Sequence, residues 1–190
     1  MTGSRPLVIL KTGSAFDELG RAQGDFEDWF VRGLEVPREA VEVVDTRSPE
    51  LPATSRPWGV VVTGSPEMVT DREEWMERAA AWLRELVENE TPVLGVCFGH
   101  QLLAHALGGV VDWNASGSIY GTVEVRQLPE GWADPLLGVL PPSFAAHSAH
   151  SQSVRELPPG TVALARTEDV AVQAARFGPR AWGVQFHPEF

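Results

Sequence analysis

The sequence holds a single cysteine, which stands between two glycines where an apolar run gives way to a helical one. The segment Gly95-Val96-Cys97-Phe98-Gly99 has the G-x-nucleophile-x-G spacing of a nucleophile elbow, with cysteine in place of serine. Such a turn strains the nucleophile's backbone, and side chains at the flanking positions would collide with neighbouring elements. It also sets the sulfur at a helix N-terminus, which favours the thiolate, and points the Phe98 N–H at a developing oxyanion. This motif alone fits a small buried apolar cysteine equally well.

A thiol nucleophile needs a base, and the base needs an orienting group. The sequence offers five histidines: His100, His105, His147, His150 and His187. His187 is favoured because the segment 182–186 has the pattern of a buried strand and stops there. Pro188 cannot continue a central strand, so His187 and Glu189 are held at the strand's end. A carboxylate two residues from an imidazole can fix its tautomer, although the pair considered alone also fits a surface turn.

The other histidines receive different predictions. His105 falls in the helix after the elbow and is expected to be structural or surface-facing. His100 falls in the first helical turn and is expected to point away from the sulfur. His147 and His150 lie in the polar stretch 146–153, which we predict to be a loop over a pocket.

The elements that must position these residues follow from the apolar pattern. Four short runs are nearly all apolar, as in strands buried on both faces: Leu7–Leu10, Val41–Val44, Val60–Thr63 and Val93–Val96. Between the last two, residues 70–90 follow the i, i+3, i+4, i+7 rule of an amphipathic helix, with Thr70 and Glu73 predicted as a capping box. A strand, a helix and a strand in this order imply a right-handed crossover and parallel pairing.

The second half has a different pattern. Its strand candidates are joined by turns rich in proline and glycine: Tyr120–Gln127, Thr161–Ala165, Val170–Arg176 and Ala181–Phe186. The fold class predicted for the chain is therefore α/β, a doubly wound open sheet, mostly parallel and flavodoxin-like, with antiparallel additions in the second half.

Length, charge and cysteine content narrow the function classes. A length of 190 residues suits one domain over residues 1–190. The net charge of -11 argues against nucleic acid or an anionic membrane as the main partner. One cysteine excludes an internal disulfide, and the apolar run 7–10 is too short for a signal peptide or membrane span. We expect a cytoplasmic protein.

The two motifs together carry a family resemblance. Residues 95–101 and 185–189 closely resemble the two signature motifs of class I, triad-type glutamine amidotransferases, and the 90-residue separation of Cys97 from His187 is usual for that family. The likeness is greatest to the glutaminase domain of GMP synthases and to free-standing proteins similar to it. It runs over nearly the whole chain.

The resemblance implies a reaction on L-glutamine. Cys97 would attack the side-chain amide carbon, and His187, held by Glu189, would protonate the departing ammonia and later activate water against a γ-glutamyl thioester. No metal site and no organic cofactor are implied. The N–H of Phe98 would share the oxyanion with a second donor.

Further site residues come from the same resemblance. The turn 62–67 is similar to the family's glycine-proline turn, and its donor is Gly64 or Ser65. Gln101 would help to hold the glutamine. Ser151 and Gln152 fall in the segment that, in the family, binds the amino and carboxylate groups of the substrate mainly through main-chain atoms.

The sequence departs from the family pattern in two places. Residues 117–120 read Gly-Ser-Ile-Tyr where relatives often carry an Arg-Glu pair. The chain reaches Phe190 directly after the His-Pro-Glu motif, whereas relatives usually continue into a helix that covers the last strand. Without that helix we expect apolar surface to be exposed near Trp182 and Val184.

Three hypotheses for the function remain. The sequence contains neither a phosphate-binding loop of the G-x-x-x-x-G-K-[ST] type nor a glycine-serine pyrophosphatase signature, so any ammonia acceptor belongs to another polypeptide. The favoured hypothesis is a glutamine-hydrolysing subunit that works with a separate synthetase. The second is a stand-alone hydrolase of γ-glutamyl amides or peptides, and the third is a non-catalytic binding module of the same fold.

Overall fold

A computed structural model describes residues 5–190. The first half alternates strands and helices: β1 (Leu7–Lys11), α1 (Asp17–Gln23), α2 (Phe26–Gly33), β2 (Val41–Asp45), β3 (Gly59–Val62), α3 (Glu74–Glu88), β4 (Val93–Val96) and α4 (Phe98–Ala106). The second half is mostly strands: β5 (Val110–Trp113), β6 (Ile119–Gln127), α5 (Pro129–Trp132), β7 (Ser143–His150), β8 (Gln152–Glu156), β9 (Val162–Arg166), β10 (Ala174–Gly178) and β11 (Ala181–Val184). Short 3-10 turns occupy 38–40, 69–71 and 137–139.

One sheet of nine strands organises the chain, in the order β2-β1-β3-β4-β11-β10-β9-β6-β7. The pairs from β2 through β4 to β11 are parallel, and those from β11 outward to β7 are antiparallel. Strands β5 and β8 form a separate antiparallel pair. The predicted fold class, a mostly parallel α/β sheet with antiparallel additions in the second half, is confirmed.

The parallel strands β3 and β4, and β1 up to Leu10, are apolar because both faces of the sheet are covered there. In β1, Val8 and Leu10 pack into the core on the side of α3 and α4, while Leu7 and Ile9 pack into the core on the opposite side. Successive side chains of a strand point to opposite faces, so every position of such a strand must be apolar.

Helix α3 follows its predicted amphipathic pattern but begins at Glu74, later than predicted. The prediction that Thr70 and Glu73 form a capping box is wrong. Thr70 belongs to a 3-10 turn that ends where Arg72 adopts a left-handed backbone with φ 50°. The Thr70 hydroxyl instead accepts a hydrogen bond from Gln152 Nε2 at 2.6 Å.

The predicted loop over residues 146–153 is also wrong. His147 and His150 lie on β7, which pairs antiparallel with β6 so that Ile119 lies opposite His150. The burial of β7 alternates, with every second residue exposed, because one face of this edge strand is open to solvent. A polar segment of this kind resembles a loop in composition while forming a regular strand.

The expected exposure of the last strand is not found. Val184 is buried in the core beside Leu137, and Trp182 is half-buried, with its indole N–H donating to Asp134 at 3.1 Å. The segment around Leu137 therefore covers this end of β11. None of the helices in residues 5–190 is long and apolar enough to cross a membrane. The organisation of residues 1–190 as one domain stays a prediction, and residues 1–4 lie outside the described part.

Candidate active site

The turn between β4 and α4 places Cys97 in a conformation that few side chains adopt. Its φ and ψ are 52° and -104°, outside the regions favoured by L-residues. The flanking glycines are required by close approach: a Cβ on Gly95 would lie 2.5 Å from the carbonyl oxygen of Gly99, and one on Gly99 would lie 2.5 Å from that of Val62. The strained elbow predicted from the five-residue motif is present.

His187 and Glu189 follow β11 and reach the same end of the sheet. The His187 N–H donates to the His147 carbonyl at 2.9 Å, which fixes the backbone beyond the strand. The His187 Nδ1 lies 2.8 Å from Glu189 Oε1, and both side chains are buried. Glu189 thus holds the ring with Nδ1 protonated, which turns Nε2 away from the carboxylate.

The electrostatics of the site favour a charged imidazole. Burial lowers the pKa of His187, but hydrogen bonding and charge from Cys97 and Glu189 outweigh it and raise the pKa to about 10. His187 Nε2 makes no well-aligned hydrogen bond within residues 5–190, either to the Cys97 sulfur or to any other group. Catalytic hydrogen bonds in ligand-free sites commonly have such geometry and tighten when substrate binds.

A turn after β3 lies beside both groups. A Cβ on Gly64 would come within 3.3 Å of His187 Cε1 and 3.8 Å of Cys97 Cβ. The buried hydroxyl of Thr12 shares its one proton between the carbonyl oxygens of Thr63 and Gly64, at 2.9 and 3.0 Å. With these carbonyl oxygens tied back to the end of β1, the turn is held rigidly against the elbow.

A cavity of about 460 Å³ opens over the sulfur. Six of the predicted site residues besides Cys97 line it: His187, Phe98, Ser65, Gln101, Ser151 and Gln152. Phe98 is the first residue of α4, a position where the backbone N–H has no partner inside the helix. Glu189 lies behind His187 and Gly64 lies beneath the elbow, so the structure brings the whole predicted set together, and the roles assigned to its members remain predictions.

The comparisons with known proteins agree with this geometry. The sequence model of the family described as glutamine amidotransferase class-I matches residues 23–190. The chain belongs to this family. Its members are enzymes with a Cys-His-Glu triad, and this amidotransferase carries those three residue types at one site.

Individual relatives show how far the likeness extends. One subunit of the glutamine-hydrolyzing GMP synthase of Methanopyrus kandleri is 37% identical over 158 residues, which make up 81% of this chain and 76% of that protein. The glutamine-hydrolyzing GMP synthase of Caldicellulosiruptor saccharolyticus is 38% identical over 70% of this chain, but the match spans only 24% of that protein. The crystal structure of a glutamine amidotransferase from Methylobacillus flagellatus matches with a TM-score of 0.79 at 28% identity. The match covers 99% of this chain and 72% of the Methylobacillus chain.

The three predicted substrate-binding residues of the amidotransferase differ in which polar groups are already engaged in hydrogen bonds. The Gln101 amide nitrogen donates to the Gln152 carbonyl at 2.7 Å and to Gln185 Oε1 at 3.0 Å, which leaves the Gln101 carbonyl oxygen for a ligand. The Gln152 side chain is buried and turned toward Thr70. Ser151 is half-buried, and its hydroxyl lies 2.8 Å from that of Ser118.

Two features of the site were missed by the sequence reasoning. Gln185 Nε2 lies 3.6 Å from the Cys97 sulfur, and the signal was present because Gln185 precedes His187 by two positions in an extended segment. The second feature is a set of aromatic rings around His187. Phe190 stacks on the imidazole at a centroid distance of 4.4 Å and meets Trp29 edge-on at 5.5 Å.

The other histidines lie in different surroundings. His100 points away from the sulfur as predicted: it packs against Gly183 and Phe177, and burial lowers its pKa to about 3. His105 Nε2 lies 3.0 Å from Glu77, a structural role. His150 lines the cavity, and burial lowers its pKa too.

Proposed function

We propose that this chain hydrolyses the side-chain amide of L-glutamine to glutamate and ammonia through a γ-glutamyl thioester on Cys97. The observation that carries the proposal is the pairing of a strained elbow cysteine with a buried histidine. The pKa of that histidine, His187, is raised to about 10 by Cys97 and Glu189. A neighbouring imidazolium stabilises a thiolate, which is the nucleophilic form of cysteine.

The proposed first half-reaction forms the thioester. The sulfur of Cys97 attacks the amide carbon, and the carbonyl π electrons move onto the oxygen. The oxyanion accepts hydrogen bonds from the N–H of Phe98 and from that of Gly64 or Ser65, each worth about 3–4 kcal/mol in comparable enzymes. As the oxyanion collapses, the C–N bond breaks and His187 gives its Nε2 proton to the leaving nitrogen.

The second half-reaction returns the free enzyme. His187, now neutral, takes a proton from a water molecule that attacks the thioester carbon. The C–S bond breaks, glutamate leaves, and the proton on His187 restores the starting charge state. Glu189 holds the ring in one orientation through both steps, since its bond to Nδ1 is independent of the proton on Nε2.

Substrate recognition in this proposal uses the cavity wall opposite His187. The free carbonyl oxygen of Gln101 suits the α-ammonium group of glutamine. Ser151 and Gln152 supply the neighbouring main chain of β8 and the turn before it. No metal or organic cofactor enters any step, and a cytoplasmic location stays a prediction from the sequence.

We propose further that the ammonia passes to an acceptor on a separate synthetase. The relatives that support this are named as a GMP synthase or as one of its subunits, and the longer one extends well beyond the matched region. Nucleic acid and membranes are not expected partners, given the net charge of -11.

Covalent labelling tests the proposal directly. A glutamine-like diazo-ketone should add one label per chain, located at Cys97 by intact-mass and peptide analysis. His187→Asn should slow labelling by roughly a hundredfold or more, as expected for loss of a general acid-base group. His105→Asn, on the same helix as the elbow but outside the cavity, is the matched control and should label like the wild type. A wild-type protein that forms no adduct would support the non-catalytic binding module instead.

A further inference from the structure

The cavity is two-sided, and only one side suits an amino acid. Gln101, Ser151 and Gln152 provide polar groups on one wall. The other wall is built from side chains of α1, α2 and the segment after β11, namely Phe16, Leu19, Phe26, Trp29 and Phe190. A volume of about 460 Å³ is within the range of sites for drug-sized molecules and exceeds what a single glutamine fills.

The apolar wall lies on the side where the leaving group departs. In the proposed reaction His187 protonates the leaving nitrogen, so that nitrogen must lie beside the imidazole. Phe190 stacks on this imidazole, Trp29 meets Phe190 edge-on, and Phe26 meets Trp29 edge-on at 5.3 Å. A substituent on the nitrogen would therefore extend along a continuous row of aromatic rings.

The charge of the wall restricts the chemistry of such a substituent. Among the described residues that line the cavity, Glu67 is the one carboxylate, and it is paired with Arg47 at 3.1 Å. No lysine or arginine lines the cavity within that part of the chain. A polyamine or a second carboxylate would thus find no free partner of opposite charge, whereas an uncharged aromatic group would bury apolar area on both molecules.

The wall is also open in a way that a purely structural apolar cluster is not. Phe16 is 82% exposed and Tyr120 is 75% exposed, and both lie at the mouth of the cavity. Tyr120 belongs to the segment 117–120, where the sequence departs from the Arg-Glu pair of many relatives. Tyr120 lies opposite Ala149 of β7, close to Ser151, so its ring borders the polar side of the mouth, and Phe16 is the exposed ring on the apolar side.

We propose that the rings around Phe190 and Trp29 form a leaving-group subsite, and that L-γ-glutamyl amides of uncharged aromatic amines are substrates of the Cys97 centre. The inference rests on the proposed thioester chemistry at that residue. Cys97 forms the same γ-glutamyl thioester, the C–N bond breaks, and the amine leaves with the proton from His187. Water then releases glutamate, so no further reactant is required.

Binding to an inactive variant separates this inference from the proposed function. In Cys97→Ala, titration calorimetry compares L-glutamine with L-γ-glutamyl-benzylamide. We expect the benzylamide to bind at least roughly tenfold more tightly, the lower end of what an apolar pocket discriminates. If glutamine and the benzylamide bind with equal affinity, the leaving-group subsite is contradicted and the proposed function is not. Failure of both ligands to bind overturns both.

Exposed residues of the wall allow a test that does not disturb the core. The double variant Phe16→Ala, Leu19→Ala in the Cys97→Ala background should reduce the preference for benzylamide over glutamine at least threefold. Trp132→Ala removes an aromatic ring that is 58% exposed outside the cavity, and it should keep the preference of its parent. With Cys97 intact, the ratio of kcat/KM for benzylamine release to kcat/KM for ammonia release from glutamine should also fall at least threefold in the double variant. The proposal is contradicted if the double variant and its parent prefer the benzylamide over glutamine to the same degree. That result would fit a wall that binds a partner protein instead.

Discussion

The side-chain nitrogen of Gln185 lies 3.6 Å from the sulfur of Cys97 and connects it to the substrate side of the cavity. The Gln185 oxygen accepts a hydrogen bond from Gln101 at 3.0 Å, which orients its amide so that the N–H group points at the sulfur. Gln185 is buried, so this donor is not replaced by water. We infer that Gln185 is a positioning residue that supports the thiolate from the same face of the extended segment as His187.

Replacing Gln185 by methionine tests this role, because the two side chains are similar in volume and only the donor is lost. Hydrogen bonds to charged groups contribute about 1.5–3 kcal/mol, so Gln185→Met should slow alkylation of Cys97 by a glutamine-like electrophile roughly tenfold or more. The reaction is followed by intact mass at neutral pH. Gln173→Met is the matched control, since Gln173 is equally buried but bonds to Thr167 instead. Equal slowing in both variants would show a general loss of order and exclude the specific role.

The strain at Cys97 predicts an unusual order of stability among its variants. A non-glycine residue in such a conformation costs about 1–3 kcal/mol, and glycine escapes this cost at some expense in chain entropy. Cys97→Gly should therefore be about 1 kcal/mol more stable than Cys97→Ala, although neither can form the thioester. Urea unfolding of the two variants measures the difference. Equal stabilities, or a less stable glycine variant, would mean that the elbow stores little strain.

The triad was predictable from the sequence because its constraints are local. Gly95 and Gly99 are needed by contacts within a few residues of Cys97 and with the adjacent β3, and Pro188 sets His187 and Glu189 at a strand's end. These short patterns determine both the strand ends and the side chains they carry. The parallel pairing of β11 with β4 was not predicted, because the second half was expected to add antiparallel strands, and the meeting of Cys97 and His187 was expected from the two family motifs.

The apolar wall and strands β7 and β8 were not predictable in the same way. Trp29 and Phe190 are distant in sequence, and their contact depends on how α2 packs beside β1. Strand β7 carries small and polar residues because it is the sheet's edge strand, so its pattern lacks the apolar run that marks the central strands. Helix α2 did leave a local signal, since Asp25 and Asp28 form a reciprocal cap at its start.

A methyl group at Gly99 should damage the elbow more than one at a glycine with open space. In Gly99→Ala the new Cβ would lie 2.5 Å from a backbone oxygen of β3, which no side-chain rotation can relieve. We expect a loss of about 3 kcal/mol or more in the free energy of unfolding, together with slower labelling of Cys97. Gly20→Ala on α1 is the control, because a Cβ there meets nothing within 4 Å, and it should stabilise the chain by about 0.5–1 kcal/mol. Similar stabilities for the two variants would contradict the packing argument.

The raised pKa of His187 predicts that its ring stays doubly protonated at neutral and mildly alkaline pH. The native state holds this proton up to about pH 10, whereas the unfolded chain releases it near the ordinary value of 6.5. In the proposed mechanism the partner sulfur has lost a proton of its own, so the ring and the sulfur together bind one proton in both states near neutral pH, and the ring itself is the group to follow. The nitrogen chemical shifts of the His187 ring should report two ring protons from pH 6.5 up to about pH 10. Glu189→Gln should lower the pKa of His187, because it removes one of the two groups that raise it. A ring that titrates near 6.5 in the wild type would mean that the imidazole is neutral in the free protein, and the proton for the leaving nitrogen would then have to come from Cys97 itself.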